Sequence, residues 1–319
     1  MLRNRLALVL MTALAPAAWG TTYLVTTELL PPGRPLLAAV IRCLPAGLLL
    51  IGLTHRLPQG SWWWRSLILG ALNIGVFQAL LFIAAYRLPG GIAATVGAVQ
   101  PLVTAGLSAL LLGDRLTLRT VLSGIAGVAG VSLLVLRANA ALDAVGVLAA
   151  LGGAVVMAAG IVLSKRWVSP APMLATTGWQ LTTGGLLLVP VTLLAEGAPP
   201  SHYSLANVLG YTYLCLIGAA VTYALWFRGL RALPPTSVSF LSLLSPVVAT
   251  LLGWLALGQD LSPLQGLGAL VVLGALIAAQ TRRPRTAPEP SPGAEPSDDT
   301  EPAPDAEPTA APRPARENA

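Results

Sequence analysis

Few side chains in this sequence could do chemistry, and each sits among apolar neighbours. Arg42 lies between Ile41 and Cys43. A charge placed inside an apolar span is costly and marks a functional candidate. Arg42 suits a counter-charge for a carboxylate on a solute, or a gate pairing with Glu28. Snorkelling to the nearer membrane face is the structural alternative, since Arg42 is only a turn or two inside its run. Uncharged groups follow. Asn73 and Phe77 are four apart and share a helix face, and Gln78 follows them. Gln100 precedes Pro101, Trp179 adjoins Gln180, and Thr222 adjoins Tyr223. Hydrogen bonds from such a set would orient a small amphipathic solute, and the aromatic faces would cover its apolar part. Interhelical bonding alone, at about 0.6 kcal/mol, is the alternative for any single member. Covalent chemistry has no comparable support. His55 and His202 stand far apart at run edges, no acid pair lies within a run, and no metal spacing or phosphate loop is present. Cys43 and Cys215 sit in apolar runs and form neither a disulfide framework nor a metal signature. Neither an enzyme activity nor a cofactor or metal is expected.

The elements that must position these groups are apolar almost throughout. Of 319 residues, 55% are hydrophobic and 10% charged, and the mean hydropathy is +0.73. Soluble domains carry about 25% charged residues, so the solvent is lipid. Ten apolar runs lie near 6–27, 36–54, 66–86, 90–112, 118–136, 142–164, 173–195, 205–227, 236–257 and 264–281. Each approaches the ~20 residues that a spanning helix needs, and backbone amides in hydrocarbon must bond within their own segment. The fold class is therefore all-α integral membrane. The first run has signal-peptide features in Arg3, Arg5 and Ala13-Leu14-Ala15, but its apolar stretch continues to Val25, as a full span does. With the N-terminus in the cytoplasm, thirteen basic residues fall in inner segments and only Arg34, Arg87 and Arg137 in outer ones. This positive-inside bias puts both termini in the cytoplasm and supports an even count of ten. The basic residues are scattered singly, which argues against nucleic acid as a partner. Residues 282–319 are rich in Pro, Ala and Glu and read as a disordered cytoplasmic tail.

The spans repeat. At an offset of 145, Leu88-Pro89 meets Leu233-Pro234, Pro101 meets Pro246, and Leu112-Gly113 meets Leu257-Gly258. At an offset of 137, Pro35, Leu44 and Gly47 meet Pro172, Leu181 and Gly184. The halves are 1–137 and 138–281. Five spans per half is an odd number, so the second half enters the membrane inverted. Inverted repeats mark secondary transporters, with the substrate site near the midplane. Pro101 and Pro246 each remove a helix bond and are expected to kink equivalent spans, as hinges of a rocking motion or as fixed bends. Small residues at Ser123/Gly127, Ala126/Gly130 and Gly274/Ala278 suit close helix packing within the fold, with a homodimer contact as the second reading.

The ordered motifs carry a resemblance. They are Trp19-Gly20-Thr21-Thr22-Tyr23, Arg42, Val99-Gln100-Pro101-Leu102, Leu111-Leu112-Gly113-Asp114-Arg115-Leu116, Trp179-Gln180, Leu244-Ser245-Pro246-Val247 and Gly258-Gln259-Asp260. Over residues 5–281 the chain resembles the EamA family of the drug/metabolite transporter superfamily. The resemblance implies a ten-helix inner-membrane carrier, often an exporter of amino acids, related metabolites or drugs, and adds Trp19 and Thr22 to the substrate-binding candidates. Many members have Glu after the second-half glycine, where this chain has Gln259. The functional expectation is alternating-access transport of a small organic solute, most readily outward; the alternative is a non-transporting sensor or scaffold of the same fold. Proton coupling through Glu28, exchange and facilitated diffusion all remain open as energy sources.

Overall fold

In the computed structural model, residues 2–87, 96–135, 143–258 and 260–280 are described, and all regular elements among them are helical. The expected tail, Leu88-Pro89, Arg137 and Gln259 lie outside the described residues. The chain forms α1 (Leu2–Gly20), α2 (Thr22–Leu29), α3 (Pro35–Thr54), α4 (Trp62–Gly70), the π turn π1 (Ala71–Gly75), α5 (Val76–Arg87), α6 (Gln100–Leu112) and α7 (Leu118–Val135). It continues with α8 (Ala144–Arg166), α9 (Met173–Glu196), α10 (Leu205–Cys215), the π turn π2 (Leu216–Val221), α11 (Thr222–Ala232), α12 (Pro235–Leu241), α13 (Leu244–Leu257) and α14 (Pro263–Gln280). Eight continuous helical stretches are long and apolar enough to cross a membrane, and two shorter apolar helices are α6 and Leu118–Leu134. The exposed surface is greasy, with Leu110 78% and Leu194 89% exposed, as lipid-facing positions are.

Side chains tie the helix ends into two groups, which fixes the alternating direction of the chain. At one end Arg5 donates to the Gln280 carbonyl at 3.0 Å, and the Gln280 amide donates to the Ser237 carbonyl at 2.8 Å. Lys165 joins this end by bonding the last turn of α11, and Asp114 lies within its electrostatic reach. At the opposite end the Asn207 amide donates to the Leu29 carbonyl at 2.8 Å. There the Glu196 carboxylate accepts from the backbone amides of Leu36 and Leu37, capping α3 across the bundle. Asp143 caps α8 through Gly146 N–H at 2.8 Å and faces Arg87 at 3.5 Å. The Gly146 bond first, then Arg87, hold the Asp143 carboxyl below its ordinary value. Because α13 follows α12 away from Ser237 and α14 returns to Gln280, the Gly258 turn stands at the end opposite Asp114.

The matched glycines have a conformational cause. Gly113 (φ +70°) and Gly258 (φ +63°) end α6 and α13 in the left-handed region, donating to the carbonyls of Ser108 and Gly253. A side chain there is strained, so both copies keep glycine. The central contact is α3 on α9, and α7 lies on α14. In the second pair a Cβ on Gly130 would stand 3.0 Å from the Gly268 carbonyl oxygen, so the backbones touch. Gly127 packs near Leu243, whereas Gly274 has nothing within 4 Å. One large buried cluster runs through the bundle centre and includes Cys43, Ile74, Met157, Tyr223, Trp226 and Val238.

Each of the two matched prolines follows a local break in its span. The chain breaks just before them, at turns Ala98–Val99 and Ser242–Leu243, which close with i→i−3 bonds such as Val99 N–H to Val96 O and Leu243 N–H to Phe240 O. Pro101 and Pro246 then sit in the first turn of α6 and α13. Each ring faces the carbonyl four residues back, Gly97 and Ser242, so the interruptions fall where a proline breaks the ladder; around Pro246 the helical stretch otherwise runs from Pro235 to Ala256. Prolines inside helices are Pro16, Pro45 and Pro190.

Candidate functional site

Two π turns organise the polar groups. π1 begins at 71 and π2 at 216, the same 145 that relates the sequence motifs. A π turn inserts one surplus residue and takes a main-chain carbonyl out of the i→i−4 ladder, often at functional sites. In π2 the Thr222 N–H goes to the carbonyls of Ile217 and Ala219 and skips Gly218. The skipped Gly218 oxygen collects side chains instead. Arg42 donates to it from Nε at 3.0 Å and from Nη2 at 2.7 Å. Trp19 Nε1 donates at 3.2 Å and the Thr222 hydroxyl at 2.7 Å. Trp19 Nε1 also reaches Thr222 Oγ1 at 3.0 Å. Its indole lies 5.1 Å from the rings of both Tyr223 and Trp226. Arg42 therefore turns into the bundle rather than toward a membrane face. The gate pairing with Glu28 is not formed: Glu28 is exposed, and the salt bridge among the described residues is Arg87–Asp143.

The second node surrounds π1. Asn73, fully buried, donates from Nδ2 to Gln180 Oε1 at 2.8 Å and Ser164 Oγ at 3.1 Å. It packs on Gly160 of α8, while Phe77 faces Gly153 of the same helix, so the two share a face. The Asn73 Oδ1 atom is buried without a partner.

The two nodes lie near positions related by the sequence offsets, although Arg42 itself aligns with Trp179 rather than with Gln180. Asn73 and Gly218 are equivalent at offset 145. Cys43, next to Arg42, is equivalent to Gln180 at offset 137. Span two reaches span eight through Arg42, and span seven reaches span three through Gln180.

The remaining candidates scatter around these nodes. Gln78 is buried and bonds the Cys43 thiol. Thr22 Oγ1 is buried without a partner. Gln100 reaches Ser239 Oγ at 3.4 Å, where Thr104 also bonds at 3.0 Å. Trp179 points to the Lys165 end, donating to the Arg56 carbonyl at 2.8 Å beside Trp62. The candidates thus do not line one common midplane cavity; they pack and bond to one another. A cavity of about 90 Å³ opens at the Lys165 end, lined by Ser164, Lys165, Trp167, Thr176, Gln180 and Arg231. That is room for a few waters, and Gln180 of the second node is part of its lining. A groove of about 390 Å³ lies in the opposite half, lined by Ile41, Pro45, Tyr203, Tyr211, Cys215 and Leu216.

Sequence reasoning missed several residues. Lys165 donates to the carbonyls of Leu230 (3.1 Å), Arg231 (2.7 Å) and Leu233 (3.1 Å). A cation suits a helix C-terminus, and its being the chain's single lysine was the available clue. Arg65 lies over Trp62, Trp64 and Trp167 at 5.4–5.7 Å. Trp226 and Ser239, both fully buried, carry no pattern that sets them apart.

The EamA-like transporter family model matches residues 6–136 and again 144–279. Protein PecM of Dickeya dadantii is 48% identical over 260 residues, 81% of this chain and 87% of that protein. The uncharacterized inner membrane transporter YedA of Escherichia coli K12 is 30% identical over 260 residues, 80% of this chain and 84% of that one. A solved crystal structure superimposes with a TM-score of 0.72 at 23% identity, covering 86% of this chain and 98% of its own; that likeness concerns the fold.

Proposed function

Because the chain belongs to the EamA-like transporter family and is a multi-pass membrane transporter, we propose that it carries a small organic solute outward across the inner membrane by alternating access. The moving parts are two inverted halves, 1–137 and 138–281, with ten crossings and both termini in the cytoplasm. One observation carries the reading: the nodes at Gly218 and Asn73 are equivalent positions that each half offers to the other half's second helix. Contacts exchanged in this way let one half rock against the other while the bonds at either end are traded. The double match of the family model and the placement of Asp114 and Gly258 at opposite ends support inversion. The Lys165 end, with the basic residues, is then cytoplasmic, and its cavity, lined in part by Gln180, is the inner entrance.

The solute site is built from Trp19, Thr22, Arg42, Gln78, Thr222 and Tyr223 on the outer side of the core, and from Asn73, Phe77, Gln100 and Gln180 on the inner side. Trp179 guards the entrance rather than the node. The test is counterflow in vesicles carrying the full chain, screened against small metabolites. Saturable flux of at least one solute, lost on Asn73→Leu, is the expected result. Robustly folded protein with no flux for any solute would return the chain to the scaffold class. Cysteine labelling at positions 114 and 260 tests the inversion, which requires access from opposite sides.

A further inference from the structure

The Gly218 carbonyl holds more donors than an oxygen can serve. A carbonyl has two lone pairs, yet four N–H or O–H groups converge on it: two from Arg42, one from Trp19, one from Thr222. A neutral carbonyl also leaves the guanidinium charge uncompensated. Among the described residues no carboxylate stands within ion-pair distance of Arg42. The acids of that half are committed elsewhere or exposed: Glu196 to the α3 amides, Asp143 to Gly146 and Arg87, Glu28 and Asp260 toward the surface. Arg carries a rigid fork of donors matched to a carboxylate. An apolar wall of Trp19, Tyr223 and Trp226 stands beside that fork.

We infer that the transported solute is a net organic anion, a carboxylate with an aromatic or similarly apolar body, and that its carboxylate replaces the Gly218 carbonyl on Arg42, Trp19 and Thr222. This inference rests on the transport reading and names its substrate class. The carbonyl is a placeholder. It holds the donors together, only partly satisfied, when the site is empty, because the π turn releases it from the ladder. A carboxylate brings two oxygens with about four acceptor positions, which matches the four converging donors. It also supplies the missing charge. Zwitterions and cations are disfavoured, because no acid among the described residues waits at the node for an ammonium group.

The experiment is equilibrium binding to the purified full chain in nanodiscs at about pH 6, where α-amino groups are protonated and carboxylates ionised. Four probes share one body: N-acetylphenylalanine (anion), N-acetylphenylalaninamide (neutral), phenylalanine (zwitterion) and phenylalaninamide (cation). The anion should bind about tenfold or more tightly than each of the others. Arg42→Gln should erase that preference, Arg42→Lys should keep part of it, and Gly52→Ala, whose Cβ would meet nothing within 4 Å, should keep all of it. Equal binding of the four, preference for an amine-bearing probe, no binding, or an Arg42→Gln protein that folds and retains the preference would each overturn the inference. Should Arg42→Gln fail to fold, the probe order on the unaltered chain decides. Flux of the bound anion in proteoliposomes separates the two readings. Anion-selective binding without flux sinks transport alone; flux without charge preference sinks the anion class alone.

Discussion

Replacing Asn73 by leucine separates a transport role from a structural one. The substitution keeps the shape of a fully buried side chain and deletes its bonds to Gln180 at 2.8 Å and Ser164 at 3.1 Å. Interhelical bonds in membranes are worth about 0.6 kcal/mol each, so about 1.2 kcal/mol is lost. The unpartnered Asn73 Oδ1 disappears too, which relieves about 1–3 kcal/mol of desolvation penalty. The abandoned partners, Ser164 and Gln180, line the cavity at the Lys165 end, and water there can serve them. The sum runs from about zero to about 2 kcal/mol in favour of leucine. Reversible unfolding in mixed detergent micelles, followed by tryptophan fluorescence, reads the stability; counterflow in vesicles reads transport. Stability at or slightly above native, with flux down by about tenfold or more, is expected. A loss above about 3 kcal/mol would show that the node holds the bundle together and would refute the energy estimate. Native stability with native flux would remove Asn73 from the pathway.

Gly184→Ala should be far more damaging than Gly52→Ala. A Cβ at 184 would stand 2.6 Å from the Gly70 carbonyl oxygen and closer still to Ile74, whereas Gly52 faces open space; thermal melts should separate the two by several degrees. Lys165→Met strips the cation from three carbonyls closing α11 and should cost about 1 kcal/mol in the same unfolding assay; no loss would mean that water caps the helix equally well. The depressed Asp143 carboxyl stabilises the fold above its unfolded value of 3.8, and that contribution disappears as pH falls through the lower folded value. Melting temperature in Asp143→Asn should therefore fall less steeply below pH 3.8 than in the unaltered chain.

Much of the bundle was legible because lipid writes a simple code. Apolar run length set the spans, and α3, α8, α9 and α14 begin and end within about two residues of their runs. The Gly113 and Gly258 match was legible because a left-handed cap needs glycine. The nodes were only half legible. Asn73, Gln180, Trp19 and Thr222 stand out by type, yet the atom joining Arg42, Trp19 and Thr222 is a backbone oxygen, which no side chain announces. Neither Ala71–Gly75 nor Leu216–Val221 carries a residue that marks a π turn. The Ser242–Leu243 break was legible in Pro246, whose ring and missing N–H interrupt the ladder at the Ser242 carbonyl four residues back. Lys165 and Glu196 were missed because each caps a helix far away in sequence.

The π turns also record an order of events. Each holds one residue more than an α ladder needs. An insertion arriving after two gene copies had diverged would strike only one of them. Here the surplus stands at 71 and at 216, the same register in both. If the halves descend from one gene, the insertion is older than the doubling. The ancestral half then already carried a loosened rung, and doubling inherited two.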